Sequence, residues 1–366
     1  MQKKVLLTFM IVLLMFLLLL FPNLCLQSAQ HGLLLWFNKV LPSLLPFMIF
    51  INILVPLDGL NKLITFSSPI SQKLWHLPGH SFFAFIMGLI AGYPMGAKVV
   101  KTLYMDHKLT KEDAELTLCF SNNCGPLFII GTVGTAMLSC TSLGYFLFFI
   151  HLLSAILISL LTTRNHTSCY YPAHASYHSD TTPSFSTLLN QGVMNAMDTI
   201  VCVGGYIIFF SVITTLLTKT PLATMLINLV FSSSTTRSLF TGAFAGFFEL
   251  SNGIHLLSTI APFSVYLLAL IAAVISFGGL CIYFQTLYVL DDSNLSTKLF
   301  LISKFLQSIL SFSLTLLFYP FYVLYTQGTF LIFSYQILLQ GLILLCMCLL
   351  IGYFAFLPRQ HLRHSS

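Results

Sequence analysis

Apolar runs of membrane-spanning length alternate along this chain with short polar breaks, and two of the runs are themselves interrupted by glycine near the middle. The first reads Gly88-Leu-Ile-Ala-Gly92-Tyr93-Pro94-Met-Gly96-Ala-Lys98, and the second Gly242-Ala-Phe-Ala-Gly246-Phe-Phe-Glu249-Leu-Ser251-Asn252-Gly253. Aligned without gaps, Gly88 meets Gly242, Ala91 meets Ala245, Gly92 meets Gly246 and Tyr93 meets Phe247. Each segment carries an ionisable residue just beyond its break: Lys98 in one, Glu249 in the other. Glycine- or proline-interrupted segments at matching places in two halves are the best sequence pointer to a transporter's binding site.

The remaining pattern predicts an all-α polytopic membrane protein with roughly eight to ten membrane segments, in two repeated halves with broken or re-entrant helices. Residues 1–32 read as an N-terminal transmembrane anchor, its apolar run following Lys3 and Lys4, with no small-residue cleavage site. Residues 33–163 form a first half. Its opening span contains Lys39, Pro42 and Pro46, and prolines spaced so must bend or unwind it. A short amphipathic connection follows, then the first broken segment, a polar loop from Lys101 to Glu115, an interruption around Asn122, and a span over 144–161. Residues 164–187, rich in Ser, Thr, His, Tyr and Pro, read as a polar linker. Residues 188–366 form the second half: a helix through Gly204-Gly205, a segment over 221–231, the second broken segment, an interrupted span with Gly278-Gly279, and a C-terminal hairpin of two spans. Basic residues at both ends of that hairpin, Lys298 and Lys304 against Arg359 and Arg363, place the C-terminus in the cytoplasm.

Composition narrows the function classes. Of 366 residues, 57% are apolar and 7% charged, against roughly a quarter charged in soluble domains. No polar stretch is long enough for a soluble catalytic domain. The net charge of +6 comes from scattered basic residues, which argues against nucleic acid and for loop topology. The nine cysteines lie mostly inside apolar runs and lack a CxxC, so neither a disulfide framework nor a metal site is expected. His166, His174 and His178 are a candidate metal cluster without carboxylate or helical support, and a solvated loop is the better reading. There is no HExxH, Walker A loop or GxSxG turn, and no cofactor or enzyme activity is expected.

The candidate chemistry lies at the breaks. Only Asp198 and Glu249 among the ten acidic residues fall within apolar sequence, where a carboxylate is costly unless paired, protonated or hydrated. Glu249, beside Ser251, Asn252 and Gly253, is the stronger functional candidate; the alternative is a structural carboxylate capping loose backbone N–H groups. Pro94 and the glycines around it prevent a continuous helix, so a new helix starts near Met95, its positive end suited to an anion and Lys98 on its first turn. The alternative for Lys98 is a lysine reaching out to the interface. Ser121-Asn122-Asn123-Cys124-Gly125-Pro126 is a polar, unwound patch, and its asparagines should line a cavity or tie hairpins together. Gly278-Gly279 and Gln285 supply a comparable patch in the second half.

These residues carry a resemblance. Gly92-Tyr93-Pro94-x-Gly96-Ala97-Lys98, Ser121-Asn122-Asn123 with the run from Pro126 to Gly134, Glu249-Leu-Ser-Asn252-Gly253-Ile254, and Ser276-Phe-Gly278-Gly279 with Gln285 resemble the sporulation integral membrane protein YlbJ family, of the nucleoside-recognition (Gate) group. The resemblance spans about residues 36–353, with Cys124 standing where a small hydroxyl residue would be more natural. It implies a spore-forming Firmicute, a multi-pass protein of the mother-cell-derived outer forespore membrane, and transport of dipicolinic acid across it. The expected partners are that anion, the bilayer and other sporulation membrane proteins. The substrate would be met by Gly92, Tyr93, Pro94, Gly96, Lys98, Ser121, Asn122, Asn123, Glu249, Asn252, Gly278 and Gln285. Glu249 would repel a dianion, so it is expected to pair with Lys98 in the empty site or to be protonated in the full one. Transport of a nucleoside or another solute, and a non-transporting scaffold, remain the rival readings.

Overall fold

The structure is a computed structural model that describes residues 2–55, 60–166, 184–327 and 335–355. The linker histidines His174 and His178, and Arg359 and Arg363 beyond the last span, lie outside the described residues. Among the described residues every regular element is helical. Five helices are long and apolar enough to cross a membrane, or six if a pair bent by 95° counts as one span. Four shorter apolar helices accompany them, so the expected number of membrane segments includes pieces too short to cross alone.

The chain begins with α1 (Gln2–Leu20), exposed along most of its length as a lipid-facing helix would be. Helices α2 (Pro22–Leu35) and α3 (Leu41–Leu54) run together as one helix. Pro42 lacks the N–H that would continue the ladder, and the turn before it, Trp36–Val40, widens to π geometry rather than breaking. Next come α4 (Leu60–Trp75), the hairpin of α5 (Gly79–Ala91) and α6 (Met95–Met105), then α7 (Lys111–Ser121), a second π-wound stretch over Leu127–Met137, and α8 (Thr141–Thr163).

The second half repeats this order. A long helix, α9 (Phe185–Lys219), is followed by short amphipathic α10 (Pro221–Val230) and the hairpin of α11 (Ser234–Phe248) and α12 (Leu250–Ser258). A broken span of α13 (Val265–Phe277) and α14 (Gly279–Val289) leads to α15 (Lys298–Gln327), against which α16 (Tyr335–Ala355) packs. The halves interlock by exchange: α6 touches α14, α12 touches Leu127–Met137, α7 packs on α15, and α8 on α13. Hairpin arms of 13 and 11 residues, and of 15 and 9, are too short for a ~30 Å hydrocarbon core, which makes both hairpins re-entrant.

One apolar core joins α3, α5, α6 and α9 through Met48, Phe83, Val99 and Ile200; a second joins α8, α12 and α13 through Ile150, Leu257, Leu268 and Ile271. The long helices meet where the Trp36 indole lies on Gly204 and donates Nε1–H to the Ile200 carbonyl at 3.0 Å.

The stretch read as a polar loop between Lys101 and Glu115 is mostly helical. Lys101–Met105 closes α6, and α7 opens at Thr110, whose hydroxyl accepts the Asp113 N–H at 3.1 Å. Glu112 and Asp113 then sit at the positive end of α7, an N-terminal signature outweighed in the sequence reading by the charge density. His166, just past α8, bridges to that turn: Nε2 lies 2.8 Å from Asp113 Oδ1 and Nδ1 3.4 Å from Glu112 Oε1. It is an ion-pair partner, and no group of described residues is placed to hold a metal ion.

The hydrogen bond to Asp113, with the charges of Asp113 and Glu112, raises the His166 pKa above its ordinary value. A group whose folded pKa is raised contributes stability that is complete below its unfolded pKa, about 6.5, and lost as pH rises through the folded one. His166→Ala should therefore lower the thermal midpoint in detergent clearly at about pH 6 and much less at about pH 9. An equal difference at both pH values would mean the latch contributes by packing alone.

Candidate functional site

Four chain breaks meet at one place. In the first hairpin α5 stops at Gly92, whose φ of +80° is open to glycine and strained for side chains. The chain passes through Tyr93 and Pro94 and restarts at Met95, as the sequence predicts. Gly88 and Gly96 face each other across the hairpin, and a Cβ on either would overlap the Ser121 carbonyl oxygen. A Cβ on Gly92 would lie 2.9 Å from the Gly125 nitrogen. The hairpin tip is thus seated in the break after α7, where Asn122 is extended and Pro126 opens the π-wound stretch.

The second hairpin turns at a single extended residue, Glu249. Gly246 and Gly253 touch across it, and a Cβ on Gly279 would meet the carbonyls of Gly246 and Phe248 at 3.0–3.1 Å. Gly278 and Gly279, with φ of +82° and +81°, break the α13–α14 span, and Gly278 lies against the Tyr93 ring. The tip of each hairpin rests on a broken span, and Tyr93 joins one half to the other.

Between the breaks is a narrow cavity of about 50 Å³, bounded by Ser43, Tyr93, Cys124, Ile207, Glu249 and Gln285 among others. Its lining is mostly apolar, with Ser43 on the α3 side and Glu249, Ser251 and Gln285 at the breaks as the polar groups. Gln285 is 1% exposed; its Nε2 donates to Cys281 Sγ at 3.1 Å, while its Oε1 has no hydrogen-bond partner among the described residues. A buried acceptor without a donor is expensive, so this oxygen marks a place for a ligand or water. A larger cleft of about 430 Å³ lies at the far end of α12, ~13 Å along that helix, lined by Thr218, Thr224, Asn228 and Arg237. It is open and lined largely by exposed residues, without unpartnered buried groups, and reads as a surface depression rather than the site.

The breaks are joined behind Tyr93 by a buried polar network. Lys304 Nζ on α15 donates to Asn123 Oδ1 at 3.2 Å and to Gln307 Oε1 at 2.8 Å. Gln307 Nε2 reaches Asn123 Oδ1 and Ser154 Oγ, and Ser154 is bonded to Ser311, which meets Ser276 at 2.6 Å. His151 closes the ring: its Nε2 accepts the Cys124 N–H at 3.2 Å, which fixes the proton on Nδ1, 2.9 Å from Ser276 Oγ.

Of the residues singled out from sequence, Tyr93, Glu249 and Gln285 reach the cavity, and Gly92, Pro94, Gly96, Ser121 and Gly278 shape the backbone around it. The two asparagines are ties. Asn122 accepts the Ala97 N–H and donates to Thr286 Oγ1 at 2.9 Å, linking the first hairpin to α14; Asn123 anchors Lys304. Asn252 donates Nδ2–H to Ser211 Oγ of α9 at 2.6 Å.

The expected pairing of Lys98 with Glu249 is not formed. Lys98 Nζ donates instead to the Asn195 carbonyl at 3.0 Å and Thr199 Oγ1 at 2.9 Å, with Asp198 of the same α9 turn as an electrostatic neighbour. Glu249 accepts N–H from Ser251 at 2.9 Å and Asn252 at 2.7 Å, capping α12. The cause is local: the positive end of α12 offers the carboxylate two donors within three residues, which a lysine on another hairpin cannot match. Lys304, His151 and Gln307 escaped the sequence reading. The signal was present, an ionisable residue inside an apolar run, but Lys304 follows Lys298 so closely that it read as the end of a span.

The Gate family, described as nucleoside recognition, matches residues 37–139, which include the first hairpin and the first break. Over 310 residues the chain is 26% identical to the sporulation integral membrane protein YlbJ of Bacillus subtilis (strain 168), an alignment covering 79% of this chain and 76% of that protein. No solved structure matches it. The resemblance read from the motifs is borne out, and the chain is an integral, multi-pass membrane protein.

Seating of the first hairpin rests on glycine at 96. Gly96→Ala should destabilise the protein by ~1–3 kcal/mol through overpacking, whereas Gly205→Ala, with nothing within 4 Å of the added carbon, should be neutral or slightly stabilising. Thermal unfolding in detergent compares them; equal midpoints would show that the hairpin is not packed as described.

Proposed function

We propose that this protein is a transporter of a small planar aromatic dianion, dipicolinate, across the outer of the two membranes around the forespore. The carrying observation is the meeting of two re-entrant tips and two broken spans around a cavity with an unpartnered buried acceptor. Such a constellation at matching points of two halves is how transporters build a solute site. The similarity to a protein named for sporulation supplies the setting.

Several features of the cavity suit this solute. Tyr93 and the apolar side of α3 and α9 offer walls for a flat ring. The helix starts at Met95, Leu127, Leu250 and Gly279 bring positive dipole ends to the breaks. Glu249 shows what such an end binds, since its own carboxylate occupies the N-terminus of α12. The Gln285 amide can serve a ring nitrogen or a protonated carboxyl. At about 50 Å³ the cavity is far below the ~300 Å³ or more of a ligand pocket, so this is a shut state in which no solute of that size fits. Transport then requires one wall to move.

The Gate description, nucleoside recognition, favours a second reading in which Glu249 and Gln285 bind the hydroxyls of a neutral nucleoside. Proteoliposomes holding the purified protein and trapped terbium distinguish the two. Luminescence from dipicolinate influx, not competed by uridine, is the expected result. Uridine flux without dipicolinate flux would assign the site to neutral solutes. Neither flux, with sporulation unaffected by Gly92 or Glu249 substitutions, would leave a scaffold. Glu249→Gln should flatten the pH profile of dipicolinate flux, because a carboxylate that must be protonated before a dianion can sit beside it is replaced by a neutral amide; an unchanged profile would mean that Glu249 takes up no proton during transport.

A further inference from the structure

The charge that the sequence reading sought at Lys98 is present elsewhere. Lys304 is 2% exposed and lies in the second turn of α15, beside the cluster in which Leu306 and Leu310 of that helix pack on Cys119 and Phe120 of α7. Among the described residues no carboxylate lies within 4.0 Å of it; the ion pairs found there are those of Lys108 and His166, far along the chain. Its two hydrogen-bond acceptors, Asn123 Oδ1 and Gln307 Oε1, are neutral amides. The ammonium sits 5.7 Å from the centroid of the Tyr93 ring and 5.8 Å from that of Phe300. Amides and ring faces solvate a cation without neutralising it.

The position matters as much as the charge. Tyr93 bounds the cavity, so a single ring separates Lys304 from the space where a solute would lie. On the opposite side Glu249 is held by the N–H groups of its own helix. Through Asn123, and through Gln307, Ser154, Ser311 and Ser276, the lysine is fastened to both broken spans. An intramembrane cation without a protein counter-charge, beside a cavity, is a functional group by default.

We propose that Lys304 is the residue that makes the cavity select an anion, its positive charge acting on the carboxylates of the substrate across the Tyr93 ring. This rests on the reading of the cavity as a site for a small dianion, and it transfers the selecting role from Lys98 to Lys304. The lysine positions and selects; it does not touch the substrate in the shut state. A ring with a cation behind it presents a less negative face to the cavity, which lowers the repulsion that the carboxylates of the substrate would meet there.

The test is competition against terbium-reported dipicolinate flux by three compounds of one shape and falling charge: benzene-1,3-dicarboxylate, 6-carbamoylpyridine-2-carboxylate and pyridine-2,6-dicarboxamide. In the unsubstituted protein inhibition should follow charge. In Lys304→Met the KM for dipicolinate should rise on the order of tenfold and the ranking should collapse toward the neutral diamide, while Lys304→Arg keeps the ranking. A purely structural lysine would change protein yield or kcat and leave the ranking intact, which overturns the proposal. If Lys304→Met does not fold, Lys304→Gln carries the same comparison with a polar side chain in the same network. Dipicolinate flux with an unchanged ranking refutes the role of Lys304 alone; absence of flux in the unsubstituted, folded protein refutes the transport reading and this inference with it.

Discussion

Every backbone N–H and C=O within the hydrocarbon layer needs a partner, and a broken helix leaves several without one. That constraint organises this molecule. The breaks at Gly92–Pro94, Asn122–Pro126, Glu249 and Gly278–Gly279 each expose peptide groups that lipid cannot satisfy, so they are stable only against protein. They are brought against one another: the Ser121 carbonyl lies on Gly88 and Gly96, the Cys124 N–H is taken by His151, and the Ser251 and Asn252 N–H groups by Glu249. The long helices supply hydrophobic bulk, but the meeting of the breaks decides where they stand. A cavity lined by irregular backbone is the geometric remainder of that meeting, which is why structure and site cannot be separated here.

The same constraint sorts the polar side chains. A residue needed to pay a backbone debt has little left for a solute, and Asn122 and Glu249 are largely engaged in that way. Gln285 retains a free acceptor, and Lys304 has only neutral amides as partners among the described residues. The groups left free to meet a solute are set by what the framework does not engage, rather than by residue type.

Much of this was legible in the sequence. Helical class, the two broken segments, the restart at Met95, the opening at Pro126 and the local distortion at Pro42 follow from glycine and proline geometry, which acts over a few residues. The partners of the charges were not legible, because they depend on which helices lie side by side. Lys98 faces α9, reached only after the linker, and Lys304 meets Asn123 from the far end of the chain. Spacing along a helix says nothing of either contact. The helical character of Lys101–Glu115 was locally encoded by Thr110 and the acids after it, and was missed because charge density was read as loop.

The contacts around the cavity differ in kind. Each hairpin makes its closest contacts with its broken span through glycine, backbone on backbone, with a few side chains such as Val274 on Gly246 and Asn122 on Ala97 filling in around them. The wall of α3 and α9 meets the hairpins differently: apolar residues such as Ile207 and Val203 face the cavity, and polar ties are few, Lys98 to Asn195 and Thr199 on one side and Asn252 to Ser211 on the other. Both kinds of contact are close-packed, and packed interfaces shift between discrete arrangements rather than deforming continuously. The long helices share a buried core with the first hairpin, so α3, α5, α6 and α9 hold their places through Met48, Phe83, Val99 and Ile200 together. Lys98 is one of those few polar ties, joining the first hairpin to α9 at a point away from the cavity lining.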